Sequence, residues 1–128
     1  MQMSKLVINA TQHKSTPDQL AAGVIDLSDD NRATLSALLT FDEIPSQRDM
    51  NQRAIDICNL LDKSTPASVG TAMIGGAPFF MATLEKTLLK WGYHPVYAFS
   101  KRESVEVQQA DGSVKKENIF KHVGFVRV

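Results

Sequence analysis

The chain has 128 residues, 43% of them hydrophobic, which suits one domain with a sizeable core and leaves little room for a second. Fourteen basic residues balance fourteen acidic ones, so the clustered Lys/Arg excess that marks broad DNA or RNA binding is missing. A single cysteine, Cys58, excludes an internal disulfide; set among Ile55, Ile57, Leu60 and Leu61, it reads as a core thiol.

In chain order, "KLVINA" (5–10) is a short apolar run without strict alternation, the pattern of a strand covered on both faces. The opening "MQMSKLVINA" has neither a basic leader nor the apolar length of a membrane span, so a cytoplasmic protein with no membrane partner is expected. A helix start follows: Thr16 caps, Pro17 suits the first turn, Gln19 completes a capping box, and Gly23 ends the helix. "VIDL" (24–27) predicts a second strand, and Ser28 with Asp29 and Asp30 opens the next helix. Pro45 and Ser46 restart the pattern. From there Met50, Ala54, Ile57, Cys58 and Leu61 share one helical face. "VGTAMIGG" predicts a third strand, and the helix from Pro78 is expected to bury Phe80, Leu84, Leu88 and Trp91. "HPVYAF" (94–99) is a fourth strand. Beyond it, alternation at Val105 and Val107, an Asp111-Gly112 turn and a second extended run predict a β-hairpin, with "VGFVRV" as a last strand. The alternation of strands and helices predicts an α/β fold: a Rossmann-like parallel sheet wrapped by helices, with a C-terminal antiparallel β-hairpin, as one domain over 1–128.

Open parallel sheets bind ligands beyond the carboxyl ends of their strands, where strand order reverses. The loops after strands one, three and four are therefore the candidates. The first holds Asn9, Thr11, Gln12, His13, Lys14 and Ser15; the second Gly75, Gly76 and Ala77; the third Ser100, Lys101, Arg102 and Glu103. An imidazole, hydroxyls, amides, backbone N–H groups at a helix start and two cations suit a phosphodiester better than an apolar ligand. Gly75-Gly76 fits either a phosphate-approaching turn or a purely steric one, since no third glycine and no GK[ST] follow. His13 fits a ligand loop or a solvated one. Asp29 and Asp30 are explained as helix-start partners, no cluster has metal-ligand spacing, and no G-x-S-x-G elbow is present. No cofactor is expected.

"HPVYAFSKRESVEVQQADGSVKKENIFKHVGF" resembles the carboxyl-terminal signature of the small stand-alone CRISPR-associated proteins with a Rossmann-like (CARF-type) fold, a family with ring-nuclease members. The matching residues are Val96, Tyr97, Arg102, Asp111, Gly112, Ser113, Phe120, Lys121, His122 and Val123. "LVINATQHKSTPDQ" and the glycine turn after strand three are similar too, while 28–68 matches no motif. The resemblance implies a homodimer that binds a cyclic oligoadenylate second messenger across its two-fold axis, in type III CRISPR signalling, and cleaves it without metal. In that reading His13 is the general acid or base, Arg102 or Lys101 supplies positive charge, and Asn9, Thr11, Gln12, Gly75, Gly76, Ala77 and Ser100 bind the ligand. Where the family has a polar residue after strand three, this chain has Ala77-Pro78-Phe79. That departure keeps two alternatives in view: a non-catalytic nucleotide-binding module, and a dimeric interaction module of a mobile-element defence or counter-defence system.

Overall fold

The structure is a computed structural model that describes residues 6–128, so Lys5 of the expected first strand lies outside the described residues. Strand β1 (Val7–Ala10) is buried along its whole length, the polar Asn9 included. Helix α1 (Pro17–Ala21) carries the full capping box: the Thr16 hydroxyl accepts from the Gln19 N–H at 3.2 Å, and Gln19 Oε1 accepts from the Thr16 N–H at 3.0 Å. Strand β2 (Val24–Ile25) is shorter than expected. Ser28 caps α2 (Asp29–Leu39), and Ser46 caps α3 (Gln47–Ser64) through the Asp49 N–H at 3.0 Å. The apolar stripe of α3 buries Ala54, Ile57, Cys58 and Leu61, and burial pushes the Cys58 thiol up to about 12, which leaves it inert near neutrality.

Strand β3 (Thr71–Ile74) leads through Gly75, Gly76 and Ala77 into α4 (Pro78–Lys90), which buries Phe80, Met81, Leu84 and Leu88. Trp91 corrects the expected set: it is the residue that ends the helix and is exposed, while Met81 takes the core position. The largest correction comes next. Strand β4 (His94–Gln108) does not stop at Phe99 but runs unbroken through Ser100, Lys101, Arg102 and Glu103, so the loop expected after strand four does not exist. It pairs antiparallel with β5 (Val114–Arg127) from Val96 to Gln108, with a bulge between Phe99 and Ser100, and "VGFVRV" is the far end of β5 rather than a separate strand.

The sheet order is β2-β1-β3-β4-β5, parallel except for β5. Helices α2, α3 and α4 cover one face, packing on Ile8, Ala10, Ala72 and Ile74. The other face, with Val7, Val24, Met73, Val96 and Phe125, is covered by α1 and the loop before it. Helices therefore flank the sheet unequally. The last β3–β4 pair is Met73 with Val96. At about 3.3 Å per residue, the remaining ten residues of β4 after Ala98 carry the β4–β5 ribbon about 30 Å past the carboxyl edge of the sheet.

Candidate functional site

Strand order reverses between β1 and β3, since β1 continues to β2 on one side and the chain crosses to β3 on the other. A crevice of about 450 Å³ opens there, walled by Thr11, Gln12, His13 and Lys14 from β1's loop, Thr16 and Gln19 from the start of α1, Gly75 and Gly76 after β3, and Tyr97 and Ala98 of β4. It gathers Thr11, Gln12, His13, Gly75 and Gly76 of the expected set.

Asn9 lies beneath this crevice, 3% exposed, with its amide fully occupied. Its Nδ2 donates to the His13 carbonyl at 2.7 Å, to Asp26 Oδ1 at 2.9 Å and to Ser15 Oγ at 3.1 Å. Its Oδ1 accepts from the Thr11 N–H at 3.0 Å and the Thr11 hydroxyl at 2.6 Å. Asn9 is thus a positioning residue that shapes the 11–15 loop, not the direct ligand contact expected from its place in the sequence. Asp26 completes the brace by accepting from the Ser15 N–H and hydroxyl. Partial burial pushes the Asp26 carboxyl up, but hydrogen bonds from Ser15 and Asn9 and the charge of Arg32 outweigh it and hold the group below the usual carboxylate range. Gln12 ties the loop to α2 by accepting from the Ser36 hydroxyl at 3.4 Å. The His13 and Lys14 side chains remain exposed at the rim. Lys14 Nζ stands 3.9 Å from Asp29, whose carboxylate is held more closely by Arg32 at 2.7 Å.

The two glycines face different ways. A Cβ built on Gly75 would stand 3.7 Å from Thr11 Cγ2, in the gap between β1 and β3. On Gly76, whose φ is +153°, it would meet Met81 Cε at 3.4 Å and Leu39 Cδ2 at 3.8 Å, on the core side. Gly76 is required by backbone conformation and packing, whereas a side chain on Gly75 would meet only Thr11 of the β1 loop, in ordinary contact. Gly75→Val is therefore expected to keep the fold and narrow the crevice. Gly76→Val should lower the melting temperature by several degrees, from a strain of about 1–3 kcal/mol. Thermal melts of both variants check this assignment, and equal melting temperatures would overturn it.

Ala77 caps α4 without a side-chain hydrogen bond and is not part of the crevice wall. Ser100, Lys101 and Arg102 also lie outside it, on the ribbon. Strand alternation sets Ser100 and Arg102 on the face of Val96 and Ala98, and Lys101 on the opposite face. Arg102 stands over the Phe120 ring at 5.9 Å, and His122, opposite Ser100, packs edge-on against Phe125 at 4.9 Å. Lys14 therefore lines the crevice, while Lys101 and Arg102 stand on opposite faces of the ribbon beyond it.

Sequence reasoning assigned Thr16 and Gln19 wholly to helix capping, and it closed β4 too early to see that Tyr97 and Ala98 form a wall. Tyr97 donates to Glu85 at 2.6 Å; burial and that carboxylate raise its phenol, which stays protonated. Among the described residues no group of three or more His, Cys, Asp or Glu side chains is placed to hold a metal ion. No helix among them is long and apolar enough to cross a membrane.

An open, mostly parallel α/β sheet of order 2-1-3-4-5 with a polar crevice at its switch point defines the fold class. Within that class, the chain belongs to the Uncharacterized protein MJ1673 family, whose model matches residues 5–126. No curated protein and no solved structure matches the chain.

Proposed function

We propose that the chain binds a cyclic oligoadenylate second messenger at the carboxyl-edge crevice as a two-fold dimer, and cleaves it without metal, as a ring nuclease of type III CRISPR signalling. The observation that carries the reading is the crevice at the β1/β3 switch point, where an imidazole and an ammonium group stand on a braced loop opposite a glycine turn. In a cyclic oligoadenylate each 2′-hydroxyl lies next to a phosphorus. The 2′-oxygen–phosphorus bond forms as the bond from phosphorus to the 5′-oxygen breaks, leaving a 2′,3′-cyclic phosphate and a 5′-hydroxyl. His13 takes the proton from the 2′-hydroxyl or delivers one to the departing 5′-oxygen. Lys14 supplies the positive charge nearest the phosphorane, with Arg102 further out on the ribbon. Holding the ribose in line contributes on the order of 7–11 kcal/mol at best.

Incubation with cyclic tetra- and hexa-adenylate, with and without EDTA, followed by chromatography of the products, tests the reading. Cleavage that survives EDTA, with binding that weakens as ionic strength rises, is the expected result. Binding without products selects the non-catalytic module, a reading favoured by the uncapped, apolar start of α4 at Ala77. No binding to either ring selects the interaction module.

A further inference from the structure

Two surfaces at the carboxyl edge have no use within one chain. The first is a groove of about 570 Å³ formed by the α2–α3 connection, the start of α3 and Phe79 at the start of α4. Ile44 is 98% exposed there and Phe79 56%, and Phe41 packs edge-on against Phe79 at 5.2 Å. Asp42 and Glu43 border these apolar groups, and among the described residues neither has an ion-pair partner. Nearby Arg53 is already committed, donating to the Thr40 carbonyl at 2.5 Å and pairing with Asp49 at 3.3 Å.

The second surface is the base of the ribbon on the face that carries Tyr97. Phe99, 53% exposed, and Ile119, 43% exposed, flank Lys101 and Lys121, which sit directly opposite one another across the ladder. Like charges in that position repel, and no carboxylate forms an ion pair with either lysine among the described residues. Glu103, next along that face, is paired with Ile119 instead. The ribbon base is apolar and basic; the groove is apolar and acidic. Both project from the same edge of the sheet, the ribbon past it and the groove beside the start of α4.

We infer that the ribbon base of one copy of this chain seats in the 41–45 groove of a second copy, with Lys101 and Lys121 meeting Asp42 and Glu43 and with Phe99 and Ile119 covering Ile44 and Phe79. The contact is reciprocal about a two-fold axis. It deepens the dimer of the proposed function and rests on that dimer alone, and it moves Lys101 from the chemistry to the interface. None of these interface residues lines the crevice.

The test is a reciprocal charge swap read by light scattering. One variant is Lys101→Glu with Lys121→Glu; the other is Asp42→Lys with Glu43→Lys. Wild type should be dimeric at micromolar concentration. Each variant alone should raise the dissociation constant by about 100-fold or more, because like charges then face each other at both contacts. Mixed in equal amounts, the two variants should recover a dimer, since each ribbon then meets a groove of opposite sign. Circular dichroism melts close to wild type confirm that both variants fold, and variants at single sites replace any that does not. A monomeric wild type, variants that stay dimeric, or a mixture that stays monomeric would each overturn the interface. The last outcome with a dimeric wild type means that the two surfaces do not meet. Cleavage of cyclic tetra-adenylate, assayed separately, reports on the crevice, so failure of the interface and failure of the ring-nuclease reading remain distinguishable.

Discussion

His13→Ala is expected to bind cyclic tetra-adenylate within a few-fold of wild type and to cleave it about 10²–10⁴-fold more slowly, the usual range for removing an acid–base group. The structure makes this substitution clean. All of the loop's hydrogen bonds at residue 13 run through its backbone: the carbonyl accepts from Asn9 at 2.7 Å, and the N–H donates to the Thr11 hydroxyl at 3.4 Å. Removing the imidazole therefore leaves the loop's brace intact. Single-turnover cleavage measured beside equilibrium binding checks the split. Unchanged turnover would eliminate His13 as the catalyst and leave in-line positioning by Lys14 and the glycine turn as the mechanism.

Asn9→Leu is expected to cost about 1–3 kcal/mol of stability and, unlike His13→Ala, to remove ligand binding. Leucine keeps the volume but deletes five hydrogen bonds from one buried side chain, and Thr11, Ser15 and Asp26 lose their common partner. Thermal melts and ligand titration together measure both effects. Binding within a few-fold of wild type would show that the loop holds its shape without Asn9. Acid provides a parallel check on the same brace. Because the Asp26 carboxyl is lowered on folding, its contribution is complete above the ordinary carboxylate range, at about pH 4, and is lost as pH falls through its depressed folded value. Ligand binding at pH 5 should thus retain an ordered loop, and protection of the 11–15 amides from exchange should fall below about pH 4.

Most helices and their first residues were legible because capping and amphipathic spacing are local. Thr16, Ser28 and Ser46 each hold the N–H three residues on, a bond written within four positions of the chain. The core face of α3 was legible for the same reason. The site was legible in part: placing ligands at strand ends singled out the β1 loop and the glycine turn, and the fold brings those two segments together at one crevice. Asn9 was misread because an amide after an apolar run looks like a loop ligand, and only the positions of Thr11, Ser15 and Asp26 around it show that it is occupied.

By itself the sequence determined the α/β class, the order of elements, the inert core cysteine and the polar loop at the end of the first strand, since each rests on propensity, periodicity or capping over a few residues. Tertiary structure decided the rest. "SKRE" reads as a loop because its residues are polar, yet in the fold Ser100, Lys101, Arg102 and Glu103 pair with His122, Lys121, Phe120 and Ile119, partners distant in the chain that satisfy its backbone and extend the strand. Once those residues form a strand, alternation separates Lys101 from Arg102 by a sheet's thickness. The two glycines diverge for a similar reason: Gly75 faces Thr11 and Gly76 faces Met81 and Leu39, a distinction set by what packs on each side of the turn.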